Sequence, residues 1–308
     1  PRSSPRGRDR GAAMSQMMDA AVMHGPDDIR FESVPRPACP PGGFVVRVDA
    51  VGLCGSDIRN LTTDSRKGAY PHIYGHEVVG EVVEADPSVS ACAVGQELCI
   101  YPVAHCLRCE QCRSGHHEQC TEVEEYTERP GGFAQYIAYT ATRAQRGAFF
   151  PLPDGVDPVL ATLAEPLSST YACVENIDVR MGDTVAILGA GPVGVMLAVL
   201  SRMRGANRVI LIDVNAERLE KSLAFDIDHR IDSSRADAVQ AVLDLTDGRG
   251  ADSTQVERAF ELAISPRFPT RQILTHVLPL SEINEAIRLT RTGEALKVTL
   301  LPQEQPSA

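Results

Sequence analysis

A short glycine pattern after an apolar run constrains the fold of this 308-residue chain more than any other feature. The apolar run Thr184–Leu188 precedes the pattern, and an apolar stretch of helical periodicity, Val193–Arg204, follows it. The pattern itself consists of Gly189, Ala190, Gly191, Pro192, Val193 and Gly194. In such a strand–turn–helix unit, the glycines permit a tight turn, the approach of a pyrophosphate and close packing of helix on strand. The pattern therefore predicts a parallel α/β fold that binds a dinucleotide.

An acidic residue at the end of the next predicted strand indicates which dinucleotide is bound. Arg208–Ile212 is a predicted strand, and Asp213 follows it directly. A carboxylate about twenty residues after the glycines would accept a hydrogen bond from a ribose 2′-hydroxyl and repel a 2′-phosphate. This favours NAD over NADP. We assign the cofactor site to Gly189, Gly191, Pro192, Val193, Gly194, Asp213, Arg218 and Ser169.

Four cysteines with regular spacing predict a structural metal site. They follow the pattern C-x2-C-x2-C-x7-C at Cys106, Cys109, Cys112 and Cys120. Four thiolates at about 2.3 Å are the usual ligands of a closed structural Zn²⁺ site. The alternative is four unrelated thiols, but the regular spacing favours zinc. A zinc site of this kind stiffens a loop and does no chemistry, so the reaction must take place elsewhere.

Composition excludes several classes of partner. The net charge of −11 and the pI near 5.2 argue against nucleic acid or an anionic membrane surface. The longest apolar stretch, Val185–Leu200, contains three glycines and a proline, so it does not predict a transmembrane helix. We find no signal peptide, and nine cysteines without one indicate the reducing cytoplasm. Residues 1–13 are interpreted as a disordered leader or tag remnant before Met14.

The pattern of predicted elements changes near residue 160. Before it, short β-rich runs alternate with Gly, Pro and Asp turns, which predicts a barrel-like β domain. These runs are Gly43–Val51, Glu77–Glu84, Glu97–Tyr101 and Phe133–Tyr139. After it, predicted strands alternate with helices, including a second helix over Ala216–Ala224, as in an α/β domain. The last part predicts one amphipathic helix, Leu280–Arg291, and one strand, Ala295–Leu301.

A second set of potential metal ligands lies outside the four-cysteine segment. It comprises Cys54, His76, Glu77 and Glu165. Each has an ordinary alternative, because a lone cysteine is usually a small buried apolar residue and a lone histidine is usually only hydrogen-bonded. The hypothesis of a joint site gains weight from the four cysteines and the dinucleotide turn in the same chain.

Taken together, the motifs resemble the zinc-dependent medium-chain dehydrogenases, in the branch of polyol, threonine and secondary-alcohol dehydrogenases. The matching segments, in family order, are GLCGSD (52–57), GHEVVGEV (75–82), the cysteines (106–120), GGFAQY (131–136), AEPLSST (164–170), GAGPVG (189–194) and LTHVLPLSEINEA (274–286). The resemblance implies a GroES-like β-barrel catalytic domain and a doubly wound Rossmann coenzyme domain. We expect catalytic residues 14–163, with a zinc lobe at 99–121, coenzyme residues 164–274, and a return to the catalytic domain at 275–308.

The resemblance also implies roles for single residues. Cys54 and His76 would ligate a catalytic Zn²⁺, and either Glu77 or Glu165 would be the third ligand. Asp57 would orient His76, and Ser56 would accept the proton of the alcohol. The implied activity is oxidation of a secondary alcohol or polyol to a ketone, with hydride transfer to NAD. The family also implies a homodimer or homotetramer, provided that the coenzyme domain is complete.

Two features depart from the family pattern. Arg59 occupies the position where many members have a histidine at the outer end of the proton relay, and arginine cannot release a proton near neutral pH. After Asp252 the chain continues directly to residues 257–265, ERAFELAIS, which resemble the near-terminal helix of the family. By comparison with the family, we therefore expect two strand–helix units and a last strand, about sixty residues, to be missing.

The gap leaves more than one hypothesis open. The chain is either a shortened paralogue or a sequence joined across an omitted stretch. In the first case, an alternative function is a catalytically impaired remnant that acts as a binding or subunit-pairing module. A zinc-free quinone reductase of the same fold is a third hypothesis, which the metal-ligand motifs disfavour.

Overall fold

A computed structural model describes residues 16–63, 70–128, 130–252 and 268–303 of the chain. The described residues form thirteen strands and eleven α-helices. The strands are β1 (Met17–Gly25), β2 (Asp28–Pro35), β3 (Phe44–Leu53), β4 (His72–Ile73), β5 (Glu77–Ala85), β6 (Glu97–Ile100), β7 (Tyr136–Tyr139), β8 (Phe149–Pro151), β9 (Thr184–Leu188), β10 (Arg208–Asp213), β11 (His229–Asp232), β12 (Leu274–Pro279) and β13 (Lys297–Leu301).

The helices are short in the β-rich part and longer in the α/β part. They are α1 (Gly55–Thr62), α2 (Glu110–Arg113), α3 (Val123–Tyr126), α4 (Ala141–Arg146), α5 (Pro158–Ala161), α6 (Ala164–Asn176), α7 (Pro192–Arg204), α8 (Ala216–Lys221), α9 (Ala238–Leu245), α10 (Thr270–Ile273) and α11 (Ile283–Thr292). None of the described helices combines the length and apolar character needed to cross a membrane.

The β-rich part is built around strand β3. This strand pairs antiparallel with β5, with β7 and with β13, so that a seven-stranded sheet surrounds it. Almost every residue of β3 is buried, because both faces of this central strand are covered. Strand β13 arrives from the far end of the described chain and runs parallel to β12 beside it. Residues 268–303 therefore contribute β12 and β13 to the same sheet as β3.

The α/β part contains a parallel sheet in the order β11–β10–β9. Apolar residues of α7 and α8 pack against one face of the sheet, in the larger core cluster. Ala238, Ala241, Val242 and Leu245 of α9 pack against the other face, on Ile210, Ile212 and Ile231. This arrangement is the first half of a doubly wound sheet and confirms the predicted α/β fold. Within the described residues the sheet has three strands.

Some predicted elements differ in extent from the observed ones. The predicted strand 133–139 begins only at Tyr136, because Phe133 uses its N–H to bind the carbonyl of Tyr74. The predicted helix 280–291 begins with a 3₁₀ turn at Leu280–Glu282 before α11. The hairpin β1–β2 and helix α6 were not predicted. The segment 257–265 and the leader 1–13 lie outside the described residues.

Candidate metal centres and dinucleotide site

Three potential metal ligands meet where strands β3 and β5 lie side by side. Cys54 is the N-cap residue of α1 and follows the last residue of β3. His76 directly precedes β5, whose first residue, Glu77, pairs with Gly52 of β3. This register brings potential ligand atoms of Cys54, His76 and Glu77 within 4.8 Å of one another.

A buried carboxylate fixes the orientation of His76. Asp57 is 1% exposed, and its Oδ1 lies 3.2 Å from His76 Nδ1. The other oxygen of Asp57 accepts a hydrogen bond of 3.0 Å from the backbone N–H of Cys54. Burial works to lower the pKa of His76, but hydrogen bonds to Asp57 and Cys54 outweigh it and raise the pKa to about 12. Asp57 therefore ties two of the candidate ligands together, and a metal at Nε2 of His76 would displace a proton of the imidazolium.

Glu77 forms a buried ion pair across the middle strand. Lys297 of β13 places its Nζ 2.5 Å from Glu77 Oε1 and donates a second hydrogen bond of 3.0 Å to the carbonyl of Leu53. Both side chains are almost completely buried. They meet over Gly52, where a Cβ atom would lie 1.8 Å from Glu77 Oε2. The absence of a side chain at Gly52 therefore creates the space for this carboxylate.

Glu165 lies close to this cluster but outside it. It stands in the first turn of α6 and is not among the residues whose ligand atoms lie within 4.8 Å of one another. Burial raises the pKa of Glu165 to about 7, and the charge of Glu77 adds to the rise against the opposing charges of His76 and Lys297. The described geometry thus brings Glu77, and not Glu165, to Cys54 and His76.

The residues of this cluster fit a zinc ion with an open position. A sulfur, a nitrogen and a carboxylate oxygen form a donor set typical of catalytic zinc, which uses three protein ligands and leaves a fourth position free. Glu77 Oε2 is buried without a hydrogen-bond partner among the described residues, whereas Oε1 is held by Lys297. A buried carboxylate oxygen without a partner is costly unless it binds a cation, so Oε2 is available to a metal.

The four cysteines form a second cluster, in which the potential ligand atoms also lie within 4.8 Å of one another. The sulfur atoms of Cys106 and Cys112 are 3.8 Å apart. A tetrahedral ion with sulfurs at about 2.3 Å requires sulfur–sulfur distances of about 3.8 Å. All four cysteines are free thiols, so no disulfide competes for them. The cluster therefore has the dimensions of a four-sulfur zinc site.

Backbone N–H groups surround these thiols. Cys109 donates to the sulfur of Cys106 at 3.2 Å, and Cys106 donates to the sulfur of Cys120 at 3.4 Å. The N–H groups of Cys112 and Thr121 lower the pKa of the Cys109 thiol to about 6. Burial, in contrast, raises the pKa of the Cys112 thiol to about 12. Since only thiolates bind metal well, the N–H groups favour the metal-binding form of Cys109, and a cation would have to displace the proton of Cys112.

A cavity of about 330 Å³ opens beside the three-ligand cluster. Ser56, Asp57, Arg59 and His76 line it. Its lining also includes Pro102 and Val103 before the four cysteines and Thr127 and Glu128 after them. The cavity therefore connects the catalytic candidate Ser56 with space for a small ligand.

The glycine pattern forms the predicted turn between β9 and α7. Gly189 has a φ of +101°, and a Cβ on Gly194 would lie 1.7 Å from the carbonyl of Gly189. Gly191 is the N-cap of α7 without a side-chain cap, and Pro192 begins the helix. Uncapped N–H groups at a helix start of this kind suit a pyrophosphate.

The other predicted cofactor residues differ in how close they lie to this turn. Asp213 ends β10 and accepts a hydrogen bond of 2.6 Å from the N–H of Ala190, so it lies at the turn. Val193, in the first turn of α7, is 52% exposed. Arg218 lies in α8 near Gly293, and the hydroxyl of Ser169 binds the carbonyl of Pro166 on an exposed part of α6. The structure brings Asp213 to the glycines but shows no contact of Arg218 or Ser169 with them.

Sequence reasoning did not single out Gly52 and Lys297. A lysine at the start of the apolar strand Lys297–Leu301 is a weak signal, because a charged residue at a strand end is usually exposed. Its role depends on the pairing of β13 with β3, which brings residues more than 200 positions apart together.

The fold and the two clusters define a class of protein, a two-domain oxidoreductase with zinc-type ligand sets. Two family models match the chain, "Alcohol dehydrogenase GroES-like domain" over residues 40–153 and "Zinc-binding dehydrogenase" over residues 192–260. A sorbitol dehydrogenase of Bacillus subtilis is 31% identical over 295 residues, which are 94% of this chain and 76% of that protein. The chain thus belongs to the zinc-dependent medium-chain dehydrogenases, a family of oxidoreductases that use zinc and a nicotinamide cofactor.

A second relative matches a similar share of the chain. A sorbitol dehydrogenase of Bombyx mori is 25% identical over 344 residues, covering 91% of this chain and 97% of that protein.

Solved structures show the same fold. A zinc-binding dehydrogenase of Clostridium scindens has a TM-score of 0.81 at 21% identity, with 94% of this chain and 100% of that chain covered. The likeness at this identity concerns the fold alone.

Proposed function

We propose that this chain oxidises a secondary alcohol or polyol to a ketone and passes the hydride to NAD. The observation that carries the proposal is the cluster of Cys54, His76 and Glu77 beside a cavity that also contains Ser56. The sorbitol dehydrogenases among its relatives support a polyol as the substrate class. Bound zinc would polarise the alcohol, and bound nicotinamide would take the hydride.

The roles of the protein residues follow from their contacts. Cys54, His76 and Glu77 would hold the catalytic zinc, while Asp57 would keep His76 in position through Nδ1. Ser56 would take up the proton of the alcohol, because its hydroxyl lies in the cavity wall with His76. Arg59 lines the same cavity and cannot continue a proton relay, so the proton would leave through water. The four cysteines would hold a structural zinc.

NAD is the cofactor that the turn favours. Asp213 lies against Ala190 of the glycine turn, where a carboxylate would accept a hydrogen bond from a ribose 2′-hydroxyl. Its negative charge would repel the 2′-phosphate of NADP. Gly189, Gly191, Pro192, Val193 and Gly194 would hold the pyrophosphate, with Arg218 and Ser169 at the edge of the site.

The proposed domain organisation follows the pairing of strands. Residues 14–163 and 275–308 would form the catalytic domain, since β13 pairs with β3, and residues 164–274 would form the coenzyme domain. The acidic composition is consistent with a cytoplasmic enzyme. The family association through the coenzyme domain would give a homodimer or homotetramer only if that sheet were complete.

The test is a turnover assay with the full chain loaded with zinc. The absorbance of NADH is followed with NAD and a panel of polyols and secondary alcohols. We expect measurable oxidation that Cys54→Ser abolishes while its far-ultraviolet circular dichroism remains unchanged. Turnover that survives Cys54→Ser would contradict the assignment, and no turnover with any alcohol would favour the alternative of a binding module.

A further inference from the structure

Helix α4 carries two arginines that face different parts of the molecule. Arg143 is fully buried, with 0% of its surface exposed, although it carries a full charge. Arg146, one helical turn later, is partly exposed. Burying a guanidinium is costly unless its N–H groups find acceptors, so the acceptors of Arg143 indicate what it holds.

Arg143 binds both ends of the four-cysteine segment. Its Nη1 donates to the carbonyl of Tyr101 at 2.7 Å, and its Nη2 donates to the carbonyls of Pro102 at 3.1 Å and Glu128 at 3.3 Å. The guanidinium also lies 5.3 Å from the ring of Tyr139. The chain enters the four-cysteine segment at Tyr101 and Pro102 and leaves it at Glu128. One side chain therefore fastens the two flanks together.

A second contact joins the same flanks. The hydroxyl of Thr127 lies 3.3 Å from the N–H of Ala104 and 3.4 Å from its carbonyl oxygen. The wall of the cavity beside Ser56 and His76 includes Pro102, Val103, Thr127, Glu128 and Arg143 itself. The side chain that fastens the flanks is thus part of the cavity, and the flanks are its wall.

Arg146 makes contacts of a different kind. It donates to the carbonyl of Cys106 at 2.8 Å and lies 4.4 Å over the ring of Tyr126. Neither Arg146 nor these partners line the cavity. The two arginines of α4 therefore divide their contacts between the cavity wall and the four-cysteine cluster.

We propose that Arg143 is a positioning residue for the substrate, which fixes the cavity wall built from the two flanks and so sets substrate affinity. This rests on the proposed function, because the cavity is taken as the place where the alcohol binds. Ser56 and His76, the candidate catalytic residues that line the same cavity, are not among the partners of Arg143. A loose wall would weaken ground-state and transition-state binding alike, which raises KM and leaves kcat nearly unchanged.

The experiment compares Arg143→Met with Arg146→Met in the zinc-loaded full chain. For Arg143→Met we expect a KM for polyol raised about tenfold, with kcat within about threefold and unchanged NADH affinity. Arg143→Lys keeps the charge and one hydrogen bond, so its KM should lie between those of wild type and Arg143→Met. Arg146→Met should leave KM within about twofold and instead speed the loss of zinc from the four cysteines to a chelator.

Hydrogen exchange separates this inference from the proposed function. Amides in peptides that contain Pro102 and Glu128 should exchange faster in Arg143→Met than in wild type, whether or not the chain turns over an alcohol. Wild-type protein without turnover would overturn the proposed function only. Unchanged exchange, an unchanged KM, or an equal rise of KM in Arg146→Met would overturn the role of Arg143. If Arg143→Met does not fold, the same measurements on Arg143→Lys decide.

Discussion

At the scale of single residues, the candidate catalytic centre depends on a glycine that makes room and a lysine that supplies charge. Gly52 has no side chain, so the carboxylate of Glu77 lies directly over the backbone of β3. Lys297 holds one oxygen of that carboxylate and leaves the other free. The ion pair thereby determines which oxygen is available to a metal.

Replacing Lys297 with Met should destabilise the fold strongly. The change leaves Glu77 buried without its counter-charge, and breaking a buried pair in this way costs about 3–5 kcal/mol. Urea denaturation of the metal-free chain measures the loss, because a bound zinc would itself supply a counter-charge to Glu77. Lys221→Met is the control, because the ammonium of Lys221 is partly exposed and its pair with Glu217 contributes less than about 1 kcal/mol. Equal losses in both variants would contradict the assigned role of Lys297.

Replacing Gly52 with Ala should empty the catalytic metal site selectively. A Cβ 1.8 Å from Glu77 Oε2 must displace the carboxylate. Elemental analysis should then find about one zinc per chain, held by the four cysteines, in place of about two. Gly55→Ala is the matched control, since a Cβ there meets no atom within 4 Å. Two zinc ions in Gly52→Ala would show that Glu77 is not a ligand.

At the scale of elements, the two candidate metal clusters differ in how the surrounding structure holds them. The four-cysteine loop has short helices and few apolar side chains of its own, with Val123 and Tyr126 packed on the thiols. We therefore expect the order of this loop to depend on a bound cation. The three-ligand cluster, in contrast, is built on the paired strands β3 and β5.

Substitution of one ligand in each cluster should separate stability from activity. Cys106→Ser should lose a zinc ion and lower the thermal midpoint, because the binding energy of a structural zinc is folding energy. Cys54→Ser should lose the other zinc ion and turnover, with a midpoint close to that of wild type. Zinc content and calorimetry on the same preparations test this. If Cys54→Ser lowered the thermal midpoint more than Cys106→Ser, the structural and catalytic roles of the two clusters would have to be exchanged.

The strand–turn–helix unit of the coenzyme part gives a prediction on cofactor choice. Asp213→Ser removes the carboxylate that lies at the glycine turn, so the preference for NADH over NADPH should fall by about tenfold or more. Asp232→Ser is the control, because Asp232 pairs with Asp213 in register at the end of the neighbouring strand. Fluorescence titration with both nucleotides measures the ratio. A wild-type chain that binds NADPH more tightly would refute the role of Asp213.

The sequence predicted some elements well and others not at all, for physical reasons. The turn at residues 189–194 and the four cysteines are local patterns, so their structures follow from neighbouring residues. The ligands Cys54, His76 and Glu77 were proposed from family motifs, and the structure brings them together. The ion pair of Glu77 with Lys297 was not predicted, because the register of β13 on β3 is set by the folded sheet and not by a local pattern. The hydrogen bonds of Arg143 to three carbonyls were not predicted for the same reason.

At the scale of the whole molecule, the described coenzyme sheet contains the strands that would hold adenosine and pyrophosphate. The strand that starts the glycine turn, β9, lies at one end of the three-stranded sheet. In a doubly wound sheet the further strands would continue beyond it and contact the nicotinamide side of the cofactor. An oligomer that pairs its subunits through those further strands would also depend on their presence.

We therefore expect NADH to bind chiefly through its ADP-ribose half. If the coenzyme sheet has only these three strands, ADP-ribose and NADH should have dissociation constants within about threefold of each other, whereas the Bacillus subtilis sorbitol dehydrogenase should favour NADH. Turnover should be low, and light scattering should give an oligomeric state different from that of the relative. Calorimetric titrations of both proteins test this. A strong preference for NADH together with fast turnover would contradict it.

The pairing of β13 with β3 also determines when during synthesis the metal centre can form. Lys297 follows Leu53, whose carbonyl it binds, by 244 positions, and the whole α/β segment lies between them. While the ribosome translates that segment, the nascent chain therefore contains Glu77 but not yet Lys297. Until Lys297 has been synthesised and β13 pairs with β3, the carboxylate of Glu77 must stay hydrated. Zinc loading at Cys54 and His76 should accordingly be a late event, whereas the four cysteines, all within fifteen consecutive residues, can take their ion while translation continues.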